Sequence, residues 1–162
     1  MIRQLHTELG IPDSYGEGGS PPRFEEATEL VDVGPNLVGR MQRLTPRAAE
    51  RWRGMVRSAE EEGVTLLIVS GFRSFQYQAA LIRNKIAAGQ TIGEILAVNA
   101  APGFSEHHTG NAVDIATPGS RPLTEEFEDS EAFGWLNRRA HEFGFELTYP
   151  RDNRWGIDYE PW

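Results

Sequence analysis

Ser105-Glu106-His107-His108-Thr109-Gly110-Asn111-Ala112-Val113-Asp114 is the stretch richest in side chains that can do chemistry, with imidazoles and carboxylates close together. An imidazole and a carboxylate suit zinc, which takes nitrogen and oxygen donors readily. Adjacent histidines on extended chain point to opposite sides, so His107 and His108 are not expected to share one ion. His107 and Asp114 lie seven positions apart, an odd spacing that would put them on opposite faces of one straight strand. A turn at Thr109-Gly110 removes that obstacle, because glycine can reverse or bulge the chain there. Asp114 would then sit on a strand beside Ala112, whose small side chain leaves room for an ion. Two protein ligands are one short of the usual three of a catalytic zinc site. A plainer reading also fits: Asp114 accepts turn amides, and the two histidines belong to a solvated loop. Composition and spacing leave both open.

The rest of the composition narrows the chemistry. With no cysteine, disulfides, thiolate zinc sites and cysteine nucleophiles are excluded. Any metal must be held by His, Asp or Glu, and the only histidines are His6, His107, His108 and His141. Lys plus Arg number 16 against 24 Asp plus Glu, a net charge of −8. That balance lacks the basic face a duplex needs, so no nucleic-acid partner is expected. The longest apolar run, residues 64–69, falls far short of the ~18 residues of a membrane span. Residues 1–8 contain no apolar signal-peptide core. A chain of 162 residues suits one compact domain, expected to act as a monomer.

Local signals show how such a cluster would be positioned. Residues 1–40, with the turn-rich Gly16-Glu17-Gly18-Gly19-Ser20-Pro21-Pro22 and a breaker at Gly34-Pro35-Asn36, read as an extension packed on the domain, with a short strand at 29–33. Thr45 can cap a helix that has Pro46 at its first position. Trp52, Met55, Val56 and Ala59 then form one apolar stripe, and Gly63 should end the helix. The β-branched run 64–69 predicts a central strand buried on both faces, broken at Ser70-Gly71-Phe72-Arg73-Ser74. A second helix is expected over 75–88, then a shorter one opened by the capping box Thr91-Ile92-Gly93-Glu94. Residues 111–116 alternate as a strand, with Val113 and Ile115 on one face and Ala112 and Asp114 on the other. A third helix is expected over 131–143, stopped by Gly144. Strands at 145–149 and near Glu160 would follow as a hairpin. The pattern predicts an α+β fold, helices packed on a small, mostly antiparallel sheet.

Three motifs, in order, carry a resemblance to a known family. Ser105-x-His107-x-x-Gly110-x-Ala112-x-Asp114 resembles the S-x-H-x-x-G-x-A-x-D signature of VanY-type zinc D-alanyl-D-alanine carboxypeptidases. Ser70-Gly71-Phe72-Arg73-Ser74-Phe75-x-x-Gln78 resembles that family's S-G-[YF]-R-S-x-x-x-Q segment, and Tyr159-Glu160-Pro161-Trp162 resembles the start of its E-P-W-H element. The resemblance covers residues 41–162 and implies the α+β fold shared with hedgehog signalling domains.

It also implies a chemistry. His107 and Asp114 become zinc ligands, and Glu160 the general base that takes a proton from metal-activated water. Arg73 becomes the cation on the polarised carbonyl and its oxyanion, while Gln78 and Ser105 hold the substrate. The implied activity removes a terminal D-amino acid from a peptidoglycan stem peptide, with D,D-, L,D- and endopeptidase specificity undivided. In the family the third zinc ligand is the histidine three positions after the catalytic glutamate, which corresponds to position 163. The sequence stops at Trp162, so weak zinc binding is expected of it, and the stop is read as a truncation. The alternative function is a non-catalytic peptidoglycan- or protein-binding module on the same fold with a degenerate metal site. His6 is expected to stay away from the site, His108 to border it without binding metal, and His141 to be half-exposed and structural. Trp155 and Trp162 are expected to shape the cleft. The family's substrate lies outside the cytoplasmic membrane while no export signal is visible, so the sequence assigns no compartment.

Overall fold

Thr45 starts the longest helix, α2 (Pro46–Glu61), by accepting a hydrogen bond from the Ala48 amide at 3.3 Å. Such a cap is worth about 1 kcal/mol. The expected stripe is the buried face: Trp52, Met55 and Ala59 are buried, and Val56 packs partly buried beside them. The computed structural model describes residues 1–19 and 21–162, so the part of the N-terminal turn-rich stretch at Ser20 lies outside the described residues.

Before α2 come helix α1 (Ile2–Leu9), strand β1 (Val31–Pro35) and strand β2 (Met41–Leu44). After it come β3 (Leu67–Ser70), α3 (Phe75–Ala87), α4 (Ile92–Val98), β4 (Asp114–Ala116) and α5 (Glu131–Arg139). The strands form two antiparallel pairs, β1 with β2 and β3 with β4. The architecture is α+β, as the sequence patterns predict.

Several elements differ from expectation. The run 64–69 is not a central strand: only residues 67–70 pair, with β4 alone, and of the run only Leu66 and Ile68 are buried. A run of β-branched residues signals burial but not the number of neighbouring strands. The strand expected over 111–116 pairs only from Asp114, because the preceding residues leave a tight turn. The first strand sits two positions later than expected. α5 stops at Arg139, and a 3-10 turn, Ala140–Phe143, completes the expected third helix. The C-terminal hairpin is reduced to irregular chain, in which the Glu160 amide donates to Tyr149 O at 3.0 Å and the Ile115 amide donates to Trp162 O at 3.0 Å. The helix α1 has no counterpart in the sequence reading; its Leu5 and Leu9 are buried.

The core has two lobes. One gathers α2, α5 and the strand residues Ile68 and Ile115 around Trp52, Met55 and Trp135. The other packs Leu5, Leu9 and Ile11 against Phe75, Ile82, Ile95 and Phe104. Chain leaving the first lobe at Ser70 and entering the second at Phe75 must cross between them, and so must chain running from Phe104 to Asp114. Two of the three motifs lie on those crossings, and the third, Tyr159–Trp162, lies on the C-terminal segment.

Candidate active site

Pairing of β3 with β4 ends with Ser70 opposite Asp114, after a register shift beyond Ile68. An irregularity of this kind re-aims side chains at the end of a ladder. Ser70 Oγ accepts from Arg73 Nε at 2.8 Å, and Arg73 Nη2 donates to Asp114 Oδ2. The strand pair thus brings the SGFRS turn onto the carboxylate.

Gly71 is required where it stands. A Cβ there would sit 2.6 Å from the Arg43 carbonyl oxygen of β2. The space is taken by backbone contacts: the Phe72 amide donates to Arg43 O at 2.8 Å, and the Gly71 amide donates to the buried Gln42 Oε1 at 3.0 Å. This close approach presents the Gly71 carbonyl to His107, whose Nδ1 lies 2.7 Å from it.

His107 and His108 sit not on extended chain but on a 3-10 turn, Glu106–Thr109, closed by Gly110 at φ 67°. That left-handed residue is the turn the odd spacing needs. His107 Nε2 comes to 3.2 Å from Asp114 Oδ1. The two rings diverge as expected. His108 is fully buried; its Nδ1 donates to Arg73 O at 2.6 Å and its Nε2 accepts from the Gly103 amide at 3.1 Å. Burial holds His108 below the usual imidazole range, despite its bond to the Arg73 carbonyl. Its part is to brace the Arg73 backbone, whose amide also donates to His107 O at 3.1 Å.

The His107–Asp114 pair has a donor set that fits zinc. A carbonyl only accepts, so Nδ1 carries the proton, and in the neutral ring Nε2 turns its lone pair on a carboxylate oxygen. That contact is satisfied either by a proton on Nε2, as an ion pair, or by a cation between the two atoms. Ligands about 2.0–2.1 Å from a tetrahedral zinc lie about 3.3 Å apart, which matches the observed 3.2 Å. A backbone carbonyl such as that of Gly71 is the kind of outer partner that fixes the ring of a histidine ligand. Burial alone would raise the Asp114 carboxyl, but the charge and hydrogen bond of His107, then those of Arg73, hold it below the ordinary range. Among the described residues, no three His, Asp or Glu side chains gather as a metal set.

Glu160 faces this pair from the C-terminal segment. Its carboxyl is pushed up to about 8 by burial, then by the nearby charges of Asp114 and Glu106. Glu106, which the sequence reading passed over, is half-buried and accepts from Thr148 Oγ1 at 2.8 Å; burial pushes its carboxyl up too. Burial and the Glu106 and Glu160 charges drive the Tyr149 hydroxyl above its usual value. The only sequence signal for Glu106 is its place inside the motif.

Arg73, Gln78, Ser105, His107, Asp114 and Glu160 all line one cleft of about 320 Å³. A second, more apolar cavity of about 430 Å³ lies beyond Glu106, Tyr149, Glu160 and Trp162, which border both. Gln78 is buried; its Nε2 donates to Ala100 O at 2.8 Å, and among the described residues its Oε1 has no partner. Arg73 uses two of its five N–H donors, on Ser70 and Asp114, and the others have no partner among the described residues. His6 is held on Pro102 O at 2.8 Å, away from this cleft. Trp155 lines neither cavity and packs under Arg154 at 4.1 Å. His141 is exposed at the edge of the larger one.

Comparison with known proteins bears on the family and the fold. The family model described as VanY, D-alanyl-D-alanine carboxypeptidase, matches residues 41–162. The chain is 35% identical to the carboxypeptidase-named YodJ of Bacillus subtilis, over all of this chain and 58% of that one. Against D-alanyl-D-alanine carboxypeptidase of Enterococcus faecalis, 81% of this chain and 51% of the relative align at 28% identity. The chain therefore spans about half the length of the curated relatives it matches. Among solved structures, the LD-carboxypeptidase LdcB superposes with a TM-score of 0.74 at 30% identity, over 85% of this chain and 67% of that one. A VanY D,D-pentapeptidase variant solved with Zn(II) gives 0.65 at 28% identity, over 84% and 76%. A fold with two small antiparallel strand pairs, the three motifs in family order and these matches give one conclusion: the chain belongs to the VanY family of D-alanyl-D-alanine carboxypeptidases.

Proposed function

We propose that the chain is a zinc-dependent carboxypeptidase that removes a terminal D-amino acid from peptidoglycan stem peptides. The observation that carries this is His107 Nε2 set 3.2 Å from Asp114 Oδ1, with Nδ1 fixed on a backbone carbonyl. His107 and Asp114 would hold the metal. Zinc, when bound, makes a nearby water more acidic and polarises a carbonyl. Glu160, in its ionised form, takes the proton of the attacking water and hands it to the leaving amine; its raised affinity for a proton favours the first of those steps. Arg73 meets the oxyanion with its remaining donors. Gln78, with an unsatisfied buried acceptor in the cleft wall, and Ser105 hold the peptide.

The family's third ligand corresponds to a position just after Trp162. The Trp162 carbonyl is bonded to the Ile115 amide, next to Asp114, so a residue placed there starts beside the pair. D-alanine release from a stem pentapeptide tests the proposal: it should require zinc, stop with a chelator and return on zinc addition. Release that is indifferent to chelation would refute it.

A second reading, a non-catalytic peptidoglycan-binding module, draws on the two-donor set among the described residues. It expects stem-peptide binding that survives chelation, with no release.

A further inference from the structure

Apolar side chains stand in water where β1 turns into β2. Val38 is 85% exposed, and Leu37 beside it and Met41 at the start of β2 are exposed too. Tyr77 on α3, also exposed, joins them through Arg40. Its Nη1 donates to the Tyr77 hydroxyl at 2.6 Å, and its guanidinium lies 5.0 Å over that ring. Met41 and Arg43 share the outward face of β2, and the Arg43 guanidinium lies 5.6 Å over the Phe72 ring. The turn itself is tied down. Asn36 Oδ1 accepts from the Val38 and Arg40 amides at 3.1 and 3.0 Å, and Asn36 Nδ2 donates to Val69 O of β3 at 3.1 Å. Leu37 and Val38 are thus presented on a preset loop, and contact with a partner needs little further ordering.

The charge around this turn runs against that of the chain. Residues 33–49 and 63–93 meet at the contacts of Asn36, Arg40 and Arg43. Neither stretch contains any of the 24 acidic residues; the first carries Arg40, Arg43 and Arg47, the second Arg73, Arg83 and Lys85. Among the described residues Arg40, Arg43 and Arg47 form no ion pair. Asp32 stands opposite Arg43 in the strand register, at the end of the ladder away from the turn. An exposed apolar turn flanked by unpaired guanidiniums matches a surface that is anionic at its face and apolar beneath. A second copy of the chain fits poorly, because a two-fold contact through this patch brings arginines against like charge. A phosphate-bearing polymer satisfies the arginines but leaves Leu37 and Val38 in water.

We propose that the β1–β2 turn docks the protein on an anionic lipid bilayer. Leu37 and Val38 enter the boundary between headgroups and acyl chains, and Arg40 and Arg43 meet lipid phosphates with their paired N–H donors. Each arginine at such a surface strengthens binding about fivefold, and burial of Val38 about tenfold. The net charge of −8 opposes the approach. Charge more than about 8 Å from the surface is, however, largely screened at physiological ionic strength. The attachment is reversible, and it does not depend on the activity proposed above.

The test is co-sedimentation of the 162-residue chain with vesicles of phosphatidylcholine alone and of phosphatidylcholine with about a third phosphatidylglycerol. The anionic vesicles should hold the chain at least about tenfold better than the neutral ones, and high salt should release it. Arg40→Gln and Arg43→Gln should each weaken that binding about fivefold and Val38→Asn about tenfold, while Val38→Leu preserves it. Val38 is exposed in the free protein, so these substitutions leave folding intact, checked by an unchanged Tm. Equal binding to the two kinds of vesicle, or to neither, would overturn the proposal. Binding that ignores Val38→Asn and is matched by soluble polyphosphate would overturn it in favour of a phosphate-bearing polymer. Dimerisation in the absence of lipid, lost with Val38→Asn, would overturn it in favour of a second copy.

Discussion

The two sides of the cleft are built differently. The residues around the proposed metal position stand on short elements tied to one another several times over: Asp114 on β4 opposite Ser70, Arg73 on Ser70 and Asp114, and His107 on the Gly71 carbonyl. His108 adds a brace from beneath, between Arg73 O and the Gly103 amide. Glu160, in contrast, rides on irregular chain anchored by the backbone bond to Tyr149 and, two residues on, by the bond from Ile115 to Trp162. A ligand pair must hold its spacing to a few tenths of an ångström, whereas a proton shuttle has to reach two positions during one reaction. Rigidity on one side and a lightly held carboxylate on the other fit those separate demands.

Substitutions on each side should break the molecule in different ways. His107→Ala has the largest expected effect, abolishing zinc retention and lowering activity about a hundredfold or more, since even the loss of an outer partner costs 10–100-fold. Elemental analysis and D-alanine release check it; full activity in the variant would remove His107 from the site. Glu160→Gln should lower kcat about 10²–10⁴-fold while zinc content stays near that of the unaltered chain.

The same variant carries a pH signature in the metal-free protein. The Glu160 carboxyl is raised from 4.5 to about 8 in the folded state, so the folded chain binds more protons than the unfolded chain between those values. Its contribution to stability is full below about pH 4.5 and is lost as the pH rises through about 8. The metal-free Tm should fall by about 5 °C from pH 5 to pH 8 on this account, and Glu160→Gln should flatten that dependence. An unchanged slope in the variant would assign it to other groups.

Next in size is Gly71→Ala, whose methyl group must displace the Arg43 carbonyl. It should cost about 1–3 kcal/mol in denaturant unfolding and weaken zinc binding through the His107 brace. Thr148→Val is the smallest. Loss of its bond to Glu106 should cost about 1 kcal/mol, show as faster hydrogen exchange over residues 145–162, and leave zinc affinity intact. Equal loosening of the metal side would show that the two walls are not mechanically separate.

How far the sequence revealed these features follows the range of the forces involved. Local signals were legible: the Thr45 cap, the Thr91–Glu94 capping box and the turn at Gly110 all form with the predicted residues. The apolar stripe of α2 needed only helical periodicity. Strand extent was not legible, because residues 64–69 and 111–116 record burial but not where pairing stops. The C-terminal hairpin failed for the same reason: strand-length segments at 145–149 and near Glu160 carry no information about a partner strand. Within the site, residue identities came from the motifs, whereas the parts supplied by backbone did not. Neither the Gly71 carbonyl behind His107 nor the Arg73 carbonyl on His108 has a side-chain signature. Glu106 was invisible as a separate contributor because a lone acid beside a histidine has no spacing rule to mark it.

The most direct test of the central claim, that His107 and Asp114 form a zinc-binding pair, is zinc stoichiometry by elemental analysis. It should be measured on the chain of 162 residues, on the same chain with one histidine added after Trp162, and on both carrying His107→Ala. The expected result is about one zinc per chain in the extended form, clearly less in the shorter one, and none in either variant. Failure of both unsubstituted forms to hold zinc, or retention of the metal after His107→Ala, would contradict the claim.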